Sequence, residues 1–347
     1  MAASIAALPT VSSLVDCTDL TVTVYPYLRQ LTPAHVLPLL RGEIAPTQWY
    51  LATNPVISAA LFALAVSLVV LVAGEITRNC SQVDRLWSLL PVVYAGHYAA
   101  WTHLHGIPSE RVDTLATFIG LWGARLTFNY WRKGGYQYGH EDYRWEVLRA
   151  KIPAALFPVF NLGFISLFQS FTLMAITCPL YIMLLYSQLP ESATTDIVDT
   201  IFSRGLVIVL CIEALADQQQ WSYQQAKKSY KETGAVAEGF AKEDLDRGFV
   251  VTGLWALSRH PNFACEQAIW LGVYQWACLK TDTMYNWSGL GVMAYCAIFL
   301  GSTIFTESIT AAKYPDYKEY QLLVNKVVPG LGALMGHELE VKGAKKD

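Results

Sequence analysis

The sequence predicts an all-α protein, a polytopic transmembrane helix bundle of about seven spans. Of its 347 residues, 53% are hydrophobic and only 15% are charged, whereas soluble domains carry about 25% charged residues. Apolar stretches of roughly 20 residues also recur along the whole chain, and this is the length that a helix needs to cross a bilayer. Such a chain cannot have a mostly wetted surface, and a lipid-facing surface is the simplest explanation.

Seven apolar stretches are candidate spans, although the second contains His97 and the sixth is interrupted by Glu266. We therefore divide the chain into an N-terminal extension at 1–53, a membrane-embedded domain at 54–330 and a charged cytosolic tail at 331–347. The candidate spans are residues 54–74, 86–102, 112–131, 158–186, 201–218, 263–280 and 287–308.

The distribution of lysine and arginine predicts the orientation of these spans, because positive residues collect in cytoplasmic loops. Basic segments alternate along the chain with three loops, 103–111, 187–200 and 281–286, that together contain only one basic residue, Arg111. We expect a lumenal or exterior N-terminus and a cytosolic C-terminus, most simply in the endoplasmic reticulum membrane. The longest polar connection, 219–262, is predicted to be a tether or a lid. The basic segments are 75–85, 132–157, 219–262 and 309–347, with 2, 5, 6 and 6 basic residues respectively.

Several classes of function are disfavoured. A net charge of -3 provides no general field that would attract nucleic acid. The seven cysteines are scattered and form no CxxC pair, so we interpret them as small buried hydrophobic residues. His103 and His105 have no further ligands at metal-binding spacing. The run GLGALMG from Gly330 follows Pro329 and not a strand, so it is not a dinucleotide-binding loop.

Polar residues inside the candidate spans are informative, because a charge at mid-bilayer costs about 2.5 to 3.5 kcal/mol. Arg125, Asn129 and Arg132 are spaced i, i+4 and i+7 in the third span, which places them on one helical face. We predict that the polar faces meet in a single hydrated pocket open to the cytosol. The alternative is that these side chains lie at the interface and pair with one another. The other polar residues of this set are Glu213, Asp217, Gln220, Gln224, Asn262, Glu266 and Glu307, together with Glu141, Asp142 and Arg144 of the adjoining connection.

The segment SRHPNFACE, residues 258–266, is the strongest local signal. Proline suits the first turn of a helix, so the sixth span is predicted to begin at Pro261. Arg259 and His260 precede a helix N-terminus, an arrangement that favours a phosphate or pyrophosphate. Asn262 and Glu266, one turn apart, suit an amide or a ribose hydroxyl. An ordinary capped helix start with a basic interfacial anchor is the alternative.

These residues lead to a resemblance. SRHPNFACE, preceded by GLW at 253–255, resembles the SRHPNYFGE motif of the steroid 5-alpha-reductase C-terminal superfamily, which also includes sterol C14-reductases and, more distantly, isoprenylcysteine carboxyl methyltransferase. The resemblance covers roughly residues 80–330, and Cys265 replaces the glycine of the motif. The further similar segments are VDRLW (83–87), ARLTFNYWRKGGY (124–136), EDYRW (141–145), ADQQQW (216–221) and KYPDYKEYQ (313–321).

The resemblance implies a helical membrane bundle with an NADPH pocket open to the cytosol. Asn262 and Glu266 match an NxxxE signature whose residues contact the cofactor, and Arg259 and His260 would approach its phosphates. Tyr130 and Glu141 are our candidates for the catalytic proton donor, and no metal is expected. The residues predicted to bind the cofactor are Arg125, Asn129, Arg132, Asp142, Arg144, Asp217, Arg259, His260, Asn262, Glu266 and Tyr317.

The predicted function is therefore an NADPH-dependent reductase of a carbon-carbon double bond in a steroid-like or other lipid substrate. One alternative is an S-adenosylmethionine-dependent methyltransferase acting on a lipid or lipidated substrate. Another is a non-catalytic membrane protein that retains the fold. Arg259 beside a helix start favours a multiply phosphorylated cofactor over a sulfonium compound. The expected partners are the lipid substrate and membrane lipids but no nucleic acid, and the oligomeric state is left open.

Overall fold

A computed structural model describes residues 7–107 and 109–330. The described residues contain sixteen α-helices, three 3-10 segments and one π-helical segment, and no strand. The all-α prediction is confirmed. The predicted charged tail at 331–347 lies outside the described residues. The α-helices are α1 (Leu20–Thr23), α2 (Pro33–Leu40), α3 (Pro46–Ala52), α4 (Pro55–Thr77), α5 (Gln82–Leu86), α6 (Leu90–Leu104), α7 (Glu110–Arg132), α8 (Tyr143–Lys151), α9 (Phe157–Phe160), α10 (Gln169–Ala175), α11 (Cys178–Tyr186), α12 (Ile197–Thr233), α13 (Lys242–Arg247), α14 (Pro261–Lys280), α15 (Gly289–Lys313) and α16 (Tyr317–Leu323).

Every candidate span overlaps one or more of these helices. By length and composition, three helical stretches of the described chain are able to cross a membrane: Pro55–Thr77, Phe157–Tyr186 and Gly289–Lys313. They indicate a membrane protein. A total of seven crossings, the orientation and the organelle stay predictions.

Local sequence explains where α4 begins and ends. Asn54 caps the helix, because its Oδ1 accepts a hydrogen bond from the backbone N–H of Val56 at 3.0 Å. Pro55 occupies the first turn, where a missing N–H costs nothing. The helix ends at Thr77, and the following residue, Arg78, adopts a left-handed conformation with φ of 54° that terminates it. These signals fix a 23-residue apolar helix, long enough to cross a bilayer.

Helix α12 corrects the prediction for the connection 219–262. The helix runs for 37 residues, about 55 Å, and ends only at Thr233. Residues 219–233 are rich in glutamine and lysine, which are good helix formers, so polarity did not end the helix. The prediction of a tether or lid was wrong for this part. What remains between α12 and α14 is residues 234–260, which include α13 and a 3-10 turn at Gly253–Ala256.

The chain divides into two compact units. The first contains Met1–Leu206 and Trp270–Cys296, and the second contains Val207–Ile269 and Ala297–Asp347. In the first unit the predicted N-terminal extension is folded against the helices. The hydroxyl of Tyr181 donates to the carbonyl of Thr23 at 2.8 Å, and Nδ2 of Asn54 donates to the carbonyl of Ala7 at 3.1 Å.

A buried ionic network joins three helices of the first unit. The guanidinium of Arg111, at the start of α7, donates to both carboxylate oxygens of Asp199 on α12, at 2.9 and 2.7 Å. Nζ of Lys280, at the end of α14, lies 3.0 Å from the same carboxylate, and the indole N–H of Trp276 donates to it at 2.8 Å. Each charge is paired and hydrogen-bonded, which is the condition under which ions are tolerated in an interior.

In the second unit α12 packs against the turn that precedes α14. Oε1 of Gln219 accepts the backbone N–H of Leu254 at 3.0 Å, and the indole of Trp255 donates to the carbonyl of Ala216 at 3.2 Å. Gly253 has φ of 63°, and a Cβ added there would lie 2.6 Å from the Gln219 side chain. Only glycine fits this turn. These contacts hold the turn before SRHPNFACE against α12.

Candidate functional site

The SRHPNFACE segment begins α14 as predicted, with Pro261 as the first helical residue. The hydroxyl of Ser258 accepts the backbone N–H of His260 at 3.2 Å and donates to the carbonyl of Val327 at 2.8 Å. The backbone N–H of Arg259 donates to the carbonyl of Asn325 at 2.9 Å. The residues after α16 therefore hold the start of α14 in place.

Glu307 of α15 is the centre of a buried network in the second unit, with only 5% of its surface exposed. Its carboxylate accepts from Nε and Nη2 of Arg259 at 2.7 and 3.1 Å. Nε2 of His260 lies 3.0 Å from Oε1. Gln321 donates to Oε2 at 2.9 Å, and the Tyr317 hydroxyl donates to Oε1 at 3.4 Å. One carboxylate thus binds the start of α14 and two residues of α16.

This network occupies the donors of Arg259. Besides Glu307, the guanidinium donates from Nη1 to the carbonyls of Gln321, at 3.0 Å, and Val324. A phosphate that approached Arg259 would have to compete with a buried carboxylate. Phosphate binding by Arg259 and His260 stays a prediction, as does a cofactor contact of Tyr317. Glu307 was predicted as a polar residue of the seventh span, but nothing in the sequence revealed that its carboxylate is the partner of the SRHP segment.

Asn262 of α14 and Asp217 of α12 meet within the second unit. Nδ2 of Asn262 donates to Oδ1 of Asp217 at 3.2 Å. Oδ1 of Asn262 is buried and accepts no hydrogen bond from any residue that the structure describes. Oε1 of Gln220, one turn further along α12, is likewise buried without a donor. An unsatisfied buried acceptor costs about 1–3 kcal/mol, so two on neighbouring elements call for a functional explanation.

Two buried carboxylates also belong to this unit. Glu266, one turn after Asn262 on α14, is 4% exposed, and Glu213, one turn before Asp217 on α12, is 2% exposed. Buried charges are expensive and are retained where they are paired or used. The cofactor contact predicted for Glu266 stays a prediction.

In the first unit, Arg125, Asn129 and Arg132 lie on α7 with the spacing of a single face. Asn129 is buried. Whether these residues share a hydrated pocket with Asp217 and Glu266 stays a prediction, and so do their cofactor contacts.

Tyr130, a candidate proton donor, has a buried hydroxyl with no hydrogen-bond partner in the structure. Its ring packs edge-on against Tyr136, with centroids 5.0 Å apart. A Cβ added at Gly135 would come within 2.4 Å of the Tyr130 ring, so only glycine permits this approach. The hydroxyl is held in place as an unused donor.

Glu141, the other candidate, is engaged as an acceptor. It accepts the backbone N–H of Cys80 at 2.6 Å, and Arg149 donates to both of its oxygens, at 2.8 and 3.1 Å. Both carboxylate oxygens of Glu141 are therefore already engaged by donors of the protein. The catalytic role of Glu141 stays a prediction.

The predicted cofactor residues Asp142 and Arg144 pair with each other at the start of α8. Nε of Arg144 donates to Oδ1 of Asp142 at 2.7 Å, and the same oxygen caps the helix by accepting the Arg144 backbone N–H at 3.0 Å. Burial raises the pKa of Asp142, but the hydrogen bonds and charge of Arg144 outweigh it and hold that pKa below its usual range. Nearby, burial raises the pKa of Asp84, although the Trp145 indole donates to this carboxyl at 2.8 Å.

An open apolar groove of about 720 Å³ lies between α6 and α7 in the first unit. Ser88, Val92 and Val93 line one side, and α7 residues from Gly120 to Trp131 line the other. Close helix packing shapes it, because a Cβ added at Gly123 would meet Val92 at 2.3 Å. The groove has the character of a surface that contacts hydrocarbon.

Comparisons with known proteins place the chain in a family. A family model described as "Protein of unknown function (DUF1295)" matches residues 70–327. An uncharacterized protein of Schizosaccharomyces pombe is 36% identical over 326 residues, which cover 93% of this chain and 93% of that protein. No solved structure matches the chain. The match over most of its length shows that the chain belongs to the DUF1295 family.

Proposed function

We propose that the protein is a membrane-embedded, NADPH-dependent reductase of a carbon-carbon double bond in a lipid, and that it belongs to the steroid 5-alpha-reductase C-terminal superfamily. The motif resemblance supports the superfamily, and the pair of buried acceptors beside Asp217 is the observation that supports the cofactor. The apolar groove between α6 and α7 supports a lipid as the substrate class.

The acceptors at Asn262 and Gln220 fit what a nicotinamide nucleotide offers. Its carboxamide N–H₂ and ribose hydroxyls are hydrogen-bond donors, and Oδ1 of Asn262 and Oε1 of Gln220 are buried oxygens that accept no hydrogen bond in the structure. Asp217 orients the amide of Asn262 by accepting from Nδ2, which turns Oδ1 towards a different donor. Asn262, Gln220 and Asp217 would thus hold the nucleoside portion of the cofactor.

Reduction of a conjugated double bond needs a hydride at one carbon and a proton at its neighbour, with a donor that polarises the carbonyl oxygen. Bound NADPH would supply the hydride. Tyr130 suits the donor role better than Glu141, because its buried hydroxyl has no partner whereas Glu141 already accepts three hydrogen bonds.

S-adenosylmethionine also carries ribose hydroxyls and an amine that two such acceptors would accommodate, so the methyltransferase alternative is separated by binding. The measurement is equilibrium binding of NADPH and of S-adenosylmethionine to the full-length protein in detergent. We expect binding of NADPH. Binding of S-adenosylmethionine alone would refute the reductase proposal, and binding of neither would favour the non-catalytic alternative.

Gln220→Met tests the acceptors directly. Because Oε1 has no donor in the structure, we expect the free energy of unfolding to stay the same or rise, while NADPH affinity falls about 2- to 10-fold. Gln225→Met is the matched control, since Gln225 lies on the same helix and is exposed. An affinity unchanged by Gln220→Met would remove Gln220 from the site.

A further inference from the structure

Lysine side chains gather around the ring of Tyr314 in the second unit. Nζ of Lys313 lies 5.4 Å from the centroid of this ring, and Nζ of Lys227 lies 5.8 Å from it. Lys227 also lies 5.6 Å from the Tyr223 ring and donates to the carbonyl of Gly248 at 2.8 Å. Two ammonium groups, one from α12 and one from α15, therefore lie close to a single aromatic ring.

The backbone fixes this arrangement. Gly248 has φ of 86°, and a Cβ added there would come 2.3 Å from the Tyr314 ring. The ring thus rests directly on the backbone at Gly248, whose carbonyl holds Lys227. Because the ring and the carbonyl are both anchored, Lys227 is positioned by the fold and is not a freely moving surface lysine.

The positive charge of this cluster lacks a carboxylate partner. Within the part of the chain that the structure describes, no carboxylate lies within 4.0 Å of Lys227, Lys231 or Lys313, whereas Lys228 pairs with Glu232 at 4.0 Å. Burial is the largest cause that lowers the pKa of Lys227, and the charges of Lys231 and Lys313 lower it further. An anion bound among the three lysines would relieve this repulsion.

The position of Lys313 identifies the source of the anion. Lys313 is the last residue of Gly289–Lys313, a stretch that is long and apolar enough to cross a membrane, so Lys313 marks one end of this stretch. Basic clusters at the end of a span attract anionic lipid headgroups. We propose that Lys227, Lys231 and Lys313 bind the phosphate of an anionic phospholipid headgroup.

The test measures lipid retention by native mass spectrometry of the full-length protein in a neutral detergent. The probes are phosphatidylserine, phosphatidylcholine with the same chains, and inorganic phosphate. We expect preferential retention of phosphatidylserine, reduced about fivefold by Lys313→Gln and about 25-fold by the double variant Lys227→Gln/Lys313→Gln. Lys313 is exposed, so its single variant is expected to fold normally.

Lys228→Gln is the matched control, because Lys228 is adjacent to Lys227 but is exposed and paired with Glu232. It should retain phosphatidylserine almost as the wild type does. Equal retention of the two lipids, an unchanged preference in Lys313→Gln, or displacement of phosphatidylserine by millimolar inorganic phosphate would each overturn the proposal. The proposal is independent of the reductase activity.

Discussion

Replacing Glu307 with glutamine should destabilise the second unit strongly. Glu307 is the buried counter-ion of Arg259 and the acceptor for His260, Gln321 and Tyr317. The substitution keeps the volume but removes the negative charge, which leaves the guanidinium of Arg259 buried at 7% exposure without a counter-ion. Breaking a buried ion pair from one side costs about 3–5 kcal/mol, and we expect a loss near the lower end because the carbonyls of Gln321 and Val324 still accept from Arg259.

The assay is thermal unfolding in detergent, followed by intrinsic fluorescence. A loss of about 3 kcal/mol corresponds to a fall in melting temperature of roughly 10–15 °C for a unit of this size, because the entropy of unfolding is about 2.1 cal/mol/K per residue. Glu232→Gln is the matched control: Glu232 lies in the same unit but forms an exposed pair with Lys228, which contributes at most about 0.5 kcal/mol.

A double variant separates charge from packing. In Arg259→Met/Glu307→Met both charges are removed, and we expect a large part of the lost stability to return, because the cost in the single variant comes mainly from the uncompensated charge. A Glu307→Gln protein that melts within about 1 °C of the wild type would refute this account of the network. So would a double variant that is less stable than Glu307→Gln.

Three further predictions concern Asp199, Gly291 and Glu266. Burial raises the pKa of Asp199, but hydrogen bonds from Arg111, Lys280 and neighbouring groups lower it to about 2 overall. Because this pKa is below the usual 3.8, the carboxylate contributes about 2 kcal/mol of stability above pH 4, and this contribution is lost as the pH falls through 2. The difference in unfolding free energy between the wild type and Asp199→Asn should therefore close between pH 4 and pH 2. In α15, Gly291→Ala should lower the free energy of unfolding by about 1–3 kcal/mol, because the new Cβ would lie 2.3 Å from the backbone of Ala175. Gly301→Ala is the control, and it should be neutral or stabilising because a Cβ there has nothing within 4 Å. Equal melting temperatures for the two variants would contradict this reasoning. Glu266→Gln should weaken NADPH binding while leaving folding intact, and a variant that fails to fold would instead indicate a structural ion pair.

Much of the secondary structure was predictable because its causes are local. Apolar stretches placed helices at every candidate span, and proline chemistry placed the start of α14 at Pro261. Helix α12 continues fifteen residues beyond the predicted span, which ended at 218. Hydropathy marks only the apolar part of a helix, whereas polar helix formers continue the helix outside it. The sequence placed Asn262 and Asp217 on the same predicted side of the membrane, but it revealed neither their pairing nor the engagement of Arg259 by Glu307.

By itself, the sequence determined the helical class, the apolar composition and the helix face on which each polar residue lies, because these depend on spacing within single segments. Only the tertiary structure decided what each face meets. Arg259 contacts a carboxylate 48 residues away and a backbone segment more than 60 residues away, and Arg111 contacts Asp199 at a separation of 88 residues. Spacing along one helix fixes a direction, but the partner found in that direction depends on how the whole chain packs.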